Sequence, residues 1–454
     1  MAMNNWQPAF EDWCKTQLNR LENSSPVTVY GRIKGIKGIL LESYLPQARI
    51  GDLCKIQGHQ REALLAEVVG FNPQYVLLSA LGPLDGVAQE ALVVPLYLPH
   101  TIKVSAHLLG NVLDGFGRPL EATGTGAFVI NSNTPGAVKV LRPPIMASER
   151  PRIDSILTTG LRAIDGMLTL GIGQRIAVFA GAGCGKTTLL AELARNASCD
   201  VIVFALVGER GRELREFLEH ELDAALRKKT VVVCATSDRS SMERTRAAFT
   251  ATAIAEGFRD EGKDVLLIID SLTRFARAQR EIGLALGEPL GRGGLPPSVY
   301  TLLPDLVERA GRAPQGSITA IYSVLIEQDS MNDPVADEVR SLIDGHIILS
   351  RRLVQNSHFP AIDILQSLSR IMPNIVNQQQ IDQANMVRRM MAAHNEVELL
   401  IRLGEYQQGN DKFTDNAINA QHLINDFLRQ SLRDPADFTE TLDSLEKVSQ
   451  YGYE

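Results

Sequence analysis

The sequence predicts an α/β core on a mostly parallel sheet, preceded by an N-terminal β-barrel and followed by a C-terminal α-helical domain. Three patterns carry that reading. Apolar, strand-like runs at 176–179, 201–207, 230–235, 265–269 and 318–324 alternate with helical segments, as in a parallel sheet covered by helices. Shorter runs at 27–33, 38–42, 53–56, 64–71 and 75–79 are broken by turns, which suggests a small barrel. After Asn374 the apolar period becomes helical, most clearly at 386–403 and 418–432.

Taken in order, residues 1–24 form an amphipathic segment, 25–94 the barrel, 95–380 the core and 381–454 the helical domain. In the first segment Trp6, Phe10, Trp13, Leu18 and Leu21 recur at spacings that place them along one side of a helix. Such a stripe is either packed on the chain's own barrel or a docking site for a regulator, and the spacing favours neither. Between barrel and core lie a turn-rich stretch from Leu113 to Pro119 and a linker from Arg142 to Pro151.

At 454 residues the chain has room for about three domains. With 44% hydrophobic and 22% charged residues it has the composition of an ordinary globular protein. The formal net charge of -7 gives no basic footprint for nucleic acid, so no such partner is expected. The five cysteines (Cys14, Cys54, Cys184, Cys199, Cys234) are odd in number and lack a C-x-x-C pair. That argues against a disulfide framework or a zinc site and for a reducing compartment. No secretory pattern and no long apolar span is visible, so a cytoplasmic location is expected.

The chemistry begins at Ala180-Gly181-Ala182-Gly183-Cys184-Gly185-Lys186-Thr187-Thr188. With a strand-like run before it and a helical one after it, this is a phosphate-binding loop for a nucleotide. Its glycines let backbone N–H groups turn onto phosphate oxygens at the positive end of a helix. Lys186 then reaches the β and γ phosphates, and Thr187 offers a hydroxyl to Mg²⁺. The usual first glycine is Ala180, a change that a strand end can absorb. Such a site needs a second carboxylate at the end of a strand beside the loop, and Asp270 ends the run that starts at Val265. It also needs a group that orients the attacking water. Glu209 follows the run 201–207 at its carboxyl end, where ligands of such sheets bind. Alternatively Glu209, Arg210, Arg212 and Glu213 form a solvated charge cluster opening a helix, and spacing alone does not choose.

The segment Phe359-Pro360-Ala361-Ile362-Asp363-Ile364-Leu365-Gln366-Ser367-Leu368-Ser369-Arg370 resembles the signature of the rotary ATP synthase α/β superfamily. That signature is a proline, a small residue, an aliphatic and an acidic or amide residue, followed by two serines. Within the superfamily, the stretches 159–166, 208–213, 270–276, 296–300, 334–341 and 399–406 are similar to those of ATPases of type III secretion and flagellar export. The resemblance implies a RecA-like P-loop NTPase core. It implies a homohexameric, Mg²⁺-dependent ATP hydrolase, its barrel serving oligomerisation, that energises protein export by releasing chaperones and unfolding cargo.

By that resemblance Lys186 lies on the phosphates, Thr187 and Asp270 on Mg²⁺, Glu209 is the catalytic carboxylate and Arg210 lies near the γ phosphate. Arg370 is an arginine finger for a neighbouring subunit. Gly181, Ala182, Gly183, Cys184, Gly185, Lys186, Thr187 and Thr188 hold ATP, with Phe359 stacked on adenine where relatives commonly have a tyrosine. Implied partners are a stalk protein, a negative regulator, and chaperone–cargo complexes at the C-terminal helices. The implied place is the bacterial cytoplasm, peripheral to the inner-membrane export apparatus. A proton-translocating ATP synthase subunit, an RNA-translocating hexamer and a non-catalytic nucleotide-binding subunit share the core. The 208–213 run and the residues 364–366, the acidic charge, and Glu209 argue against these in turn. Gln328 and Ser330 interrupt a stretch that relatives often have as Gly-Asp-Asp, so Asp329 receives no catalytic role. Cys184, His346 and His358 read as structural.

Overall fold

A computed structural model describes residues 7–22, 29–57, 63–121, 124–130, 134, 136–326, 333–409 and 411–453. The chain divides into two compact units, Met1–Tyr97 and Leu98–Glu454.

The first unit opens on the helix Gln7–Glu22. Of its apolar stripe, Phe10, Trp13 and Leu18 are 53%, 58% and 57% exposed, and the Phe10 and Trp13 rings stack with centroids 6.0 Å apart. More than half of each of these three side chains is thus left exposed. Trp6 and the side chain of Leu21 lie outside the described residues.

Among the described residues, six strands close the barrel: Gly31–Lys37, Leu40–Tyr44, Asp52–Ile56, Leu64–Phe71, Val76–Ala80 and Leu92–Pro99. Around the barrel they run first, second, fifth, fourth, third, sixth. Side chains alternate across each antiparallel strand, so Ile33, Leu41, Cys54, Ile56, Val68, Leu78 and Val93 fill the interior. The sixth strand was not among the expected runs, because Pro95 and Pro99 argue against a strand. It is tolerated because its pairing with the first strand uses Leu92 and Val93, upstream of Pro95.

The second unit is built on one large sheet. Its path runs Leu368–Ser369, Gly345–Leu349, Arg175–Ala180, Ser317–Leu325, Asp264–Asp270, Val201–Val207, Thr230–Ala235, Val112–Leu113. Along this path every ladder from Gly345–Leu349 onward is parallel; the edge strand Leu368–Ser369 is antiparallel, as is the short strand Gly311–Arg312 that pairs with Ser317–Leu325 off the path. Both faces are buried, which is why these strands read as continuous apolar runs rather than alternating ones. Along Arg175–Ala180, Ala177 and Phe179 enter one hydrophobic cluster while Ile176, Val178 and Ala180 enter the other. The first cluster takes in the helices Ser241–Asp260 and Leu272–Leu286.

The second cluster takes in Lys186–Asn196 together with the C-terminal helices Gln378–Leu403, Lys412–Leu428 and Phe438–Gln450. Met386, Ile424, Phe427 and Leu445 lie in the same cluster as Leu190 and Leu193. The C-terminal helices thus share a core with the sheet and belong to the same compact unit. The last of them lies beyond the helical runs expected from periodicity, and its start is marked by Asp437, whose side chain accepts from the N–H groups of Thr439 and Glu440. Among the described residues no helix is long and apolar enough to cross a membrane.

Beside the first cluster sits a buried ion pair. Arg309 and Glu256 each have 1% side-chain exposure, with Nε of Arg309 donating to Oε1 of Glu256 at 3.0 Å. Arg142 approaches Glu256 at 2.8 Å, and Arg309 Nη1 donates to the Val140 carbonyl at 2.8 Å. Removing one partner of such a pair leaves an uncompensated charge and costs about 3–5 kcal/mol. Glu256→Ala is therefore expected to lower the unfolding free energy by about that amount in a urea titration, with Glu256→Gln costing less because it retains an acceptor. An unchanged midpoint for Glu256→Ala would contradict this account.

Candidate active site

The phosphate loop leaves the strand Arg175–Ala180 and enters the helix Lys186–Asn196. Ala180 is fully buried in the ladder opposite Leu325 and Leu349, so its methyl replaces a glycine at a position that belongs to the strand. Gly183 and Gly185 both have φ 80°, and a Cβ at either would meet nothing within 4 Å. The left-handed backbone, not crowding, requires glycine there.

Asp270 ends the strand Asp264–Asp270 and is 2% exposed. Its strand does not lie beside that of the phosphate loop, as expected from sequence, because Ser317–Leu325 runs between them. The carboxylate still reaches the loop. Lys186 Nζ forms an ion pair with Asp270 Oδ1, and Ser323 Oγ, on the intervening strand, donates to the same oxygen at 2.5 Å.

Glu209 follows the strand Val201–Val207 and is 8% exposed, with Oε1 3.9 Å from Lys186 Nζ. Burial raises its pKa to about 7, reinforced by a hydrogen bond with Glu213 and by the charge of Asp270; Arg274 and Lys186 pull the other way. The same hydrogen bond holds Glu213 below the usual carboxylate range. Glu209 is therefore a desolvated carboxyl poised to change charge near neutrality rather than one member of a solvated cluster.

Arg274 forms an ion pair with Glu209. Sequence reasoning assigned it no role. The signal was present: it stands four residues after Asp270, in the first turn of the helix Leu272–Leu286, which starts at the same sheet edge. At Gly208, φ 69°, a Cβ would stand 3.1 Å from Arg274 Cδ, so glycine leaves room for the Arg274 stem.

Arg210 is not brought into this group. Its side chain is 76% exposed and lies 3.9 Å from Glu213. Thr187 is exposed on the first turn of Lys186–Asn196, and Ala182 is exposed at the loop's outer side, whereas Gly181 is buried.

A cavity of about 660 Å³ opens beside the loop, with Cys184, Gly185, Thr188, Phe359 and Gln430 in its lining. Phe359 is 44% exposed where it lines the cavity. Part of the cavity wall comes from residues 429–434, between two C-terminal helices. Sequence reasoning had kept that region apart from the nucleotide, and no local pattern ties it to the loop.

Arg370 lies at the other end of the sheet. Ser369 pairs with Gly345, the first residue of Gly345–Leu349, whereas Leu349 pairs with Ala180 at the start of the loop. At about 3.3 Å per residue, Arg370 stands on the order of 15 Å from its own phosphate loop along the strands. It is exposed, and Nη1 donates to the Ile343 carbonyl at 3.3 Å.

His346 Nε2 lies 2.9 Å from the Gln366 carbonyl oxygen, and burial keeps both His346 and His358 below the usual histidine range. Cys184 is buried. Gln328, Asp329 and Ser330 lie outside the described residues.

Among the described residues no cluster of three His, Cys, Asp or Glu could hold a metal. One buried carboxylate reached by the lysine of the phosphate loop, with a threonine next to that lysine in sequence, suits a cation that keeps most of its waters and arrives with phosphates, as Mg²⁺ does.

Known proteins match this chain over nearly all of its length. The ATP synthase alpha/beta family, nucleotide-binding domain, matches residues 160–369, and the T3SS EscN ATPase C-terminal domain matches 376–447. The chain is 58% identical over 441 residues to the type 3 secretion system ATPase of Pseudomonas savastanoi pv. phaseolicola, covering 97% of this chain and 98% of that protein. To the flagellum-specific ATP synthase of Treponema pallidum it is 43% identical over 437 residues, 96% of each. The structure of the assembled ATPase EscN from the enteropathogenic E. coli type III secretion system matches with TM-score 0.85 and 46% identity, covering 92% of this chain and 100% of that one. EscN in complex with its central stalk EscO matches with TM-score 0.84, 46% identity and the same coverage. This chain belongs to the type 3 secretion system ATPases, ATP hydrolases that energise secretion.

Proposed function

We propose that the chain works as a homohexameric ring whose sites lie between subunits, using Mg²⁺-dependent ATP hydrolysis to release chaperones and unfold cargo for type III export. The observation that carries this reading is a division of labour across the sheet. Lys186, Glu209, Asp270 and Arg274 gather at the carboxyl ends of the strands. Arg370 is exposed at the opposite end, beyond reach of its own loop. A second copy would supply the missing cation.

In this reading the loop N–H groups and Lys186 take the phosphates, the base stacks on Phe359 in the cavity, and Thr187 with Asp270 would hold Mg²⁺. The metal, when bound, neutralises charge on the phosphate oxygens. Glu209 orients and polarises the attacking water, with Arg274 holding its carboxylate in place. Exposed Arg210 reaches the γ phosphate only if its side chain swings inward. Arg370 of a neighbour contributes about a thousandfold in rate, or roughly 4 kcal/mol of transition-state stabilisation.

The higher identity to a type 3 secretion ATPase than to a flagellar relative supports the injectisome role. A stalk partner follows from the EscN–EscO complex by analogy. The exposed stripe of Gln7–Glu22 suits a negative regulator, and the C-terminal helices suit chaperone–cargo complexes. The ring would sit in the bacterial cytoplasm, peripheral to the inner-membrane export apparatus.

Mixing Lys186→Ala and Arg370→Ala proteins, each inactive alone, should restore ATP turnover, because intact loops then meet intact fingers. No recovery from verified mixed assemblies would overturn the shared site. Glu209→Gln should lower kcat by about 10²–10⁴-fold.

The acid limb of kcat/KM should rise through a pKa of about 7, since Glu209 acts deprotonated. Arg274 lowers that pKa, so Arg274→Gln should move the limb to higher pH; a limb that stays in place would remove Arg274 from this role.

A further inference from the structure

We infer that Gln430 is a positioning residue for the nucleotide base, holding residues 429–434 against Phe359 as one wall of the cavity beside the phosphate loop. The inference rests on the proposed base-binding role of that cavity. Gln430 lies between the helices Lys412–Leu428 and Phe438–Gln450 and is 8% exposed. Its main-chain N–H donates to the Phe359 carbonyl at 2.9 Å. Its side-chain Oε1 accepts from the Arg162 N–H at 2.9 Å, while Nε2 donates to the carbonyls of Gly160 and Asp434, each at 2.7 Å.

These partners set the orientation of the amide, because a backbone N–H requires an acceptor and two carbonyls require a donor. A primary amide of this length meets both demands, and a carboxylate does not. Arg162 ties the same segment from the other side: Nε donates to the Phe427 carbonyl at 2.8 Å, and Nη2 to those of Asp426, at 3.2 Å, and Arg429. Three distant pieces of chain, 160–162, Phe359 and 426–434, are thereby joined at one buried amide. With its oxygen and both N–H groups engaged by main chain, Gln430 has nothing left for the base. It acts through the Phe359 loop and the wall it holds in place.

The test uses the full chain with Gln430→Glu, which preserves shape but sets a carboxylate oxygen against two carbonyls, and Gln430→Ala. Steady-state turnover of Mg-ATP is measured, together with calorimetric binding of ATP and of inorganic tripolyphosphate, which lacks a base. Both variants should raise KM for ATP by about tenfold, equivalent to roughly 1.4 kcal/mol. The value of kcat should stay within about twofold, and tripolyphosphate affinity should be unchanged; that last result also shows that the variants fold. Equal weakening of ATP and tripolyphosphate, or an unchanged KM, would overturn the inference. Failure of the underlying reading would look different: the unaltered chain would then bind ATP no more tightly than tripolyphosphate.

Discussion

The site depends on one lysine ammonium shared between two carboxylates. Asp270 and Glu209 are almost wholly buried, and a buried carboxylate is costly unless a cation or donor meets it. Lys186 pairs with the first and lies 3.9 Å from the second, so the phosphate-loop helix, the strand ends and the helix carrying Arg274 must meet at one point. The pairing is incomplete by design of the geometry, since Glu209 still titrates near 7. Because its folded-state pKa lies above the ordinary value of 4.5, its contribution to stability is present at low pH and lost as pH rises through about 7. In the proposed mechanism an arriving triphosphate draws Lys186 away. That withdraws one of the charges that lower the Glu209 pKa.

How much of this was legible in the sequence follows from what is local. The phosphate loop, the run ending in Asp270 and the strand leading to Glu209 are each written in consecutive residues, and their secondary structure follows from apolar period and glycine placement. Strand order is not local. Nothing in 318–324 announces that this run separates Asp270 from the phosphate-loop strand, because parallel neighbours are chosen by packing over the whole sheet. The cavity wall at 429–434 was hidden for the same reason: its partners, Gly160, Arg162 and Phe359, are joined to it only through the fold. Arg274 is an intermediate case, readable once a helix is known to begin at Leu272. The sixth barrel strand was masked by its prolines, a local signal overruled by where pairing starts.

A parallel sheet has two unlike ends, and the proposed mechanism uses both. The carboxyl ends collect the loop, the carboxylates and Arg274. The amino end of Gly345–Leu349, through its antiparallel neighbour Leu368–Ser369, presents Arg370 outward. A monomer cannot fold one end onto the other, because the strands are stiff and buried on both faces. Closure within one chain is excluded by the sheet's own length, while in the proposed ring head-to-tail contact between copies would bring the two ends together without deforming either. Such contacts are heterologous, and they produce rings when the rotation closes.

The C-terminal helices bear on the same site by a different route. Their apolar residues and those of Lys186–Asn196 lie in one cluster, and close-packed clusters shift between arrangements rather than stretch. Leu399 and Leu403, 66% and 62% exposed, sit at the far end of Gln378–Leu403, while the connector 429–434 lies against the cavity beside the phosphate loop. If those helices hold cargo as proposed, a load at the exposed end would reach the cavity wall through the main-chain bonds of Gln430. In the proposed mechanism such coupling would need no additional element, because the helices and the cavity are parts of one compact unit.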